Sequence, residues 1–94
     1  MSTNTRWLEV DGDRVAHALQ EAQEALGKLN GATGEVVLDF SSVHRIDSSA
    51  LMALESLAQA AGDKTSKVML RGVNADVYKV LKLVRLARRF SFLS

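Results

Sequence analysis

Residues 36–61, VVLDFSSVHRIDSSALMALESLAQAA, decide how the rest of the chain is read. Val36, Val37 and Leu38 form a continuous apolar run ending on Asp39. Such a run, rich in β-branched residues, suits an interior strand rather than an edge. From Ser49 to Ala61 the period changes. Ala50, Leu51, Ala53, Leu54, Leu57, Ala58 and Ala61 recur at helical spacing and predict a helix with a broad buried stripe. Between strand and helix lie a polar link, a second acid and two serines. Asp and Ser side chains accept hydrogen bonds from the orphan N–H groups of a first helical turn, so Asp47, Ser48 or Ser49 is the expected cap. Gly62 is the expected C-cap.

The flanking segments continue the alternation. RWLEV, bounded by DGD, reads as a strand. Val15, Ala18, Leu19, Ala22, Leu26 and Leu29 follow at helical spacing, and LNGATG closes that helix. After the central helix, KVMLRGV reads as a third strand. Asn74 or Asp76 then opens a helix over about Ala75–Arg89 with Val77, Val80, Leu81, Val84 and Ala87 facing inward, and FSFL reads as a last strand. Strands alternating with helices predict an α/β domain with largely parallel pairing and right-handed crossovers. With helices on one side only, the other face of the sheet must find cover or remain polar.

Ninety-four residues suffice for one small domain. A hydrophobic fraction of 47% with 24% charged residues argues against disorder, and a net charge of +1 gives no overall pull toward nucleic acid. The absence of cysteine excludes disulfides and zinc–thiolate sites. No segment approaches the roughly 20 apolar residues of a membrane span, and the N-terminus lacks a signal-peptide core. His17 and His44 stand apart without ligand-like neighbours, so neither is read as a metal ligand or catalyst.

Catalysis finds little to work with. The sequence has no Cys/His pair, no glycine-rich phosphate loop and no metal-ligand spacing. Asp39 and Asp47 could pair as carboxylates, but a domain of this size offers little room for the pocket that acid–base work needs. The outer face of the central helix is more informative. Ser48, Met52, Glu55, Ser56 and Gln59 lie opposite the apolar stripe, and Met52 is the one large apolar side chain among them. An exposed Met among polar groups suits a partner surface. A serine at the positive end of a helix also tolerates an added phosphate of about −1.5 to −2 charges. Near the end of the chain Lys79, Lys82, Arg85, Arg88 and Arg89 crowd the expected third helix, with Lys82, Arg85 and Arg89 on one face. They complement the helix dipole, or meet an acidic partner.

The segment VVLDFSSVHRIDSSALMAL resembles the STAS domain family, which includes anti-sigma-factor antagonists and the C-terminal domains of sulfate transporters. The family pattern is a strand ending in Asp, a link with an apolar residue before a second Asp, then Ser or Thr, a small residue and an apolar helix. Here these positions are Asp39, Ile46, Asp47, Ser48, Ser49, Ala50 and Leu51. Downstream, VMLRGVNADVYKVLKLVRLARRFSFL resembles the family's third strand, last helix and closing apolar residues.

The resemblance runs from about Trp7 to the end. It implies an α/β fold: one domain over residues 1–94, with a small mixed sheet of about four strands and helices packed mainly on one face. It also implies an adaptor rather than an enzyme, acting in the bacterial cytoplasm without cofactor, metal, nucleic acid or membrane insertion. In the antagonist branch the Ser after the motif Asp is phosphorylated by a partner serine kinase that is also the anti-sigma factor. By position that is Ser48, with Ser49 the second choice.

The implied partner surface is Asp39, Asp47, Ser48, Ser49, Met52, Glu55 and Gln59. In a second branch, short STAS proteins are subunits of an ABC-type phospholipid transporter and dock on its ATPase through the same helix; there Ser48 is a contact residue. Two departures stand out. Ala50 replaces a frequent Gly, and the usual hairpin before the first helix is reduced to a single strand. A missing edge strand leaves backbone groups open to pair with another chain, a homodimer included.

Overall fold

A computed structural model of the chain describes residues 4–27, 34–63 and 67–93. The elements run β1 (Asn4–Glu9), α1 (Val15–Gly27), β2 (Gly34–Asp39), α2 (Ser48–Asp63), β3 (Lys67–Arg71), α3 (Ala75–Leu83), a 3₁₀ turn (Ala87–Arg89) and β4 (Ser91–Leu93). The strands form one sheet in the order β1-β2-β3-β4. The apolar run read as an interior strand is β2, paired on both sides. Strand number and helix placement agree with expectation. The sheet was expected to be mixed, but all three ladders are parallel among the described residues. Each pair of neighbouring strands is joined through a helix rather than a hairpin, and a helical crossover returns the chain in the same direction.

Sequential parallel neighbours joined by crossovers of one hand place every helix on the same face. The core shows this directly. Leu19, Ala22 and Leu26 of α1, Leu54 and Leu57 of α2, and Val77 and Leu81 of α3 gather in one cluster with Val36, Leu38, Val68 and Leu70 of the two central strands. The opposite face is open. In register across it stand Trp7, Val37, Met69 and Ser91. Val37 is buried between its neighbours, while Trp7 remains exposed.

One boundary differs from the sequence reading, and another falls outside the described residues. Gly62 is not a cap, because α2 runs through it to Asp63. The first helix, expected to reach Leu29, is described to Gly27, and the closing LNGATG lies largely outside the described residues.

The third helix departs more. Expected to continue to Arg89, it stops at Leu83, and Lys82, Arg85 and Arg89 do not share a helical face. The Leu86 N–H donates to the Leu81 carbonyl at 2.8 Å and the Arg85 N–H to the Lys82 carbonyl at 3.2 Å. This crossed pair is a Schellman ending, with Arg85 in the left-handed region at φ 63°. Leu81 and Leu86 are both buried, and burying both is what turns the chain. A straight helix would carry Leu86 away from the core.

The C-terminal ends of the strands carry the loops that position the site, and two glycines hold them close. A Cβ at Gly12 would overlap the Ser42 carbonyl oxygen, so the loop before α1 and the β2–α2 link can meet only there with glycine. Gly72 turns at φ 72° beside Ser41. The Asn74 side chain caps α3 through the Val77 N–H at 2.8 Å, and its amide donates to the Val43 carbonyl at 3.3 Å. The β2–α2 link is thus fixed from both sides.

Candidate functional surface

Asp47 is the cap of α2. Its carboxylate accepts from the Ala50 N–H at 2.8 Å, and its carbonyl accepts from the Leu51 N–H at 3.0 Å. Of the three residues that could have capped the helix, the acid does so. Ser48 and Ser49 become its first two residues, both exposed. Ala50, at the family's frequent Gly position, is buried and part of the core.

Asp39 is placed differently. Its carboxylate accepts from the hydroxyl and the N–H of Ser41, the latter at 3.0 Å, and lies 3.7 Å from Arg71 Nη1. The Ser41 hydroxyl, then the Ser41 N–H, with the Arg71 guanidinium beside them, hold this carboxyl below its ordinary range against a smaller opposing effect of burial. Asp39 therefore ties the strand end to its own turn and to β3. Ser41, which makes those bonds, had no special signal in the sequence.

Ser48, Met52, Glu55 and Gln59 are exposed along one side of α2. Met52 is 69% exposed. Ser48, Met52 and Glu55 line a groove of about 470 Å³ together with Leu51. Its other wall is the turn after α3, from Val84 to Leu86 with Arg88 and Arg89. The sequence had put Arg85 and Arg89, with Lys82, on one helix face; the Schellman ending instead brings Arg85 and Arg89, with Arg88, to the groove beside the start of α2. Asp47 lies on the other side of that start, lining a cleft of about 570 Å³ with Arg14, His17 and Arg45. His17 pairs with Glu21 of its own helix at 2.9 Å. Among the described residues no three His, Asp or Glu side chains are placed to hold a metal, and no helix is long and apolar enough to cross a membrane.

A wholly parallel sheet with helices on one face, and an exposed serine directly after an acidic helix cap, define a small α/β fold built around the start of α2. The family profile described as "Mlab, STAS domain" matches residues 3–93. The chain belongs to the STAS domain family. Its fold is similar to that of TM1081 from Thermotoga maritima, a protein proposed to be an anti-sigma factor antagonist. The crystal structure of that protein shares 20% identity at a TM-score of 0.70, covering 100% of this chain and 76% of the other. The NMR structure of TM1081 shares 19% identity at a TM-score of 0.76, covering 100% and 77%. No curated protein matches the sequence.

Proposed function

We propose that this chain is a non-enzymatic protein-interaction regulator of the anti-sigma-factor-antagonist type. The start and outer face of α2 bind a partner serine kinase that is also an anti-sigma factor, and phosphorylation of Ser48 breaks the complex. Its place of action is the cytoplasm, as a single domain without cofactor. The observation that carries this reading is the division of labour at the start of α2. Asp47 performs the capping, so the exposed Ser48 is not needed as the cap and can take a phosphate without costing the helix its cap. A phosphate there adds about −1.5 to −2 charges at the positive end of a helix, which holds them without unfolding. The new charge changes what the surface can dock.

The test is binding by purified Ser48 variants. Ser48→Ala binds the kinase and takes no phosphate; Ser48→Asp binds weakly. Full affinity in Ser48→Asp removes the switch.

The match to a profile described as "Mlab, STAS domain" favours a second reading, in which the same face docks permanently on the ATPase of an ABC-type phospholipid transporter. Under it the chain co-purifies with that ATPase, and Ser48 carries no phosphate in cells. Mass spectrometry of the isolated complex separates the two.

A further inference from the structure

The groove beside Ser48 has a strong charge imbalance. Arg85, Arg88 and Arg89 line it, and Glu55 is the only acid among its lining residues. Neither ion pair found among the described residues involves these arginines. The groove also has an apolar strip. Leu51 is half-buried at its base, while Met52 and Val84 are exposed along it and Leu83 stands 82% exposed beside Val84. Unpaired arginines around exposed aliphatic side chains are the complement of a segment carrying carboxylates around apolar anchors.

We propose that this groove, between the outer face of α2 and the turn at residues 84–89, seats an acidic amphipathic helix of the partner protein. The inference rests on the reading that the start of α2 faces a protein. It adds the chemistry of what that protein presents, and the way Ser48 controls it. Three arginines against one glutamate leave the groove with a charge of about +2, and a phosphate on Ser48 brings about −1.5 to −2. Phosphorylation therefore nearly neutralises the groove. It offers the arginines a covalently attached anion in place of the partner's carboxylates. A polyphosphate backbone fits less well, because the arginines are confined to one short turn, the groove has no aromatic platform and its strip is aliphatic. Arg85 occupies a left-handed position where glycine is the usual residue, so the turn keeps a guanidinium at a site that backbone preference alone would give to glycine.

The experiment titrates the unphosphorylated, isotope-labelled chain by NMR with two synthetic helical peptides. Both carry one Leu/Met stripe, flanked in one by Glu and in the other by Lys. The Glu peptide is expected to shift the amides of Ser48, Met52 and residues 84–89. It binds about tenfold more tightly than the Lys peptide, as several exposed ion pairs together would give. Its affinity falls severalfold as salt rises, and both Arg88→Gln alone and an Arg85→Glu/Arg88→Glu/Arg89→Glu variant weaken it. Equal binding of the two peptides, shifts scattered away from the groove, unchanged affinity in Arg88→Gln, or a preference for anionic lipid vesicles or single-stranded DNA over the Glu peptide would overturn it. The outcomes separate from those of the Ser48 test. If the Glu peptide docks but Ser48→Asp leaves partner binding intact, the groove stands and the switch falls. If Ser48→Asp releases the partner but the peptide does not dock, the groove falls alone.

Discussion

Leu54 and Met52 stand two residues apart on α2, in opposite surroundings. Leu54 is fully buried, in one cluster with Leu57, Ala58 and the central strands, while Met52 is 69% exposed beside the arginine turn. Both are flexible apolar side chains of similar size. What separates them is the 3.6-residue period, which turns one into the core and the other outward. The inner face of α2 holds the fold together. The outer face contributes little to the core, and under the proposed function its exposed Met52 is a contact for the partner.

Substitutions can break or sharpen that contrast. Leu54→Ala has the largest expected effect, a loss of about 2–5 kcal/mol in urea unfolding from lost burial and a residual cavity. A loss no larger than that of a surface substitution would mean that the inner face is not packed as described. Asp47→Ala, at the junction of the two faces, removes a cap and costs about 1 kcal/mol by the same measurement. If Ser48→Ala costs as much, the serine shares the capping and the division of labour fails.

Asp39→Asn is a control away from both faces. The folded pKa of Asp39 is lowered, so its contribution is present above the unfolded carboxylate range and is lost as pH falls through the folded value. The variant should be less stable than the parent at neutral pH and converge with it in acid. Parallel pH profiles would show that the Ser41 and Arg71 contacts contribute nothing to stability.

Arg85→Gly should move the other way. It relieves a left-handed non-glycine residue, worth about 1–2 kcal/mol, against about 0.4–1 kcal/mol lost to the freer unfolded chain, so stability should rise slightly while the groove is weakened. Met52→Ser closes the series. Its stability should stay within about 0.5 kcal/mol of the parent while partner binding falls. A stability loss near that of Leu54→Ala would erase the difference between the two faces.

Sequence periodicity was enough for the element order. The apolar run Val36–Leu38 became the interior strand, and the stripe from Ala50 to Ala61 became the inner face of α2. The start of α2 was legible as a set of three candidates. Choosing Asp47 among them required the Ala50 N–H contact, because Asp and Ser are nearly equal caps by preference. The helical placement of Arg85, Arg88 and Arg89 was wrong for a physical reason. Their spacing fits a continuous helix, and no Gly or Pro marks the stop. The stop comes with the burial of both Leu81 and Leu86 in the core, a tertiary gain set against the local cost of a left-handed arginine.

What the chain settled by itself is its alternation of strand and helix, the inward side of α1 and α2, and the family motif from Asp39 to Leu51, since these depend on residue type and spacing along a regular backbone; in the third helix Val84, expected to face inward, lies exposed beyond the helix end. What the tertiary structure alone decided is which groups meet across the strand ends: Asp39 with Ser41 and Arg71, Gly12 with the Ser42 carbonyl, and Ser48 with an arginine-lined groove. Those meetings join residues up to some forty positions apart. They depend on the sum of packing over the whole core, which no local spacing encodes.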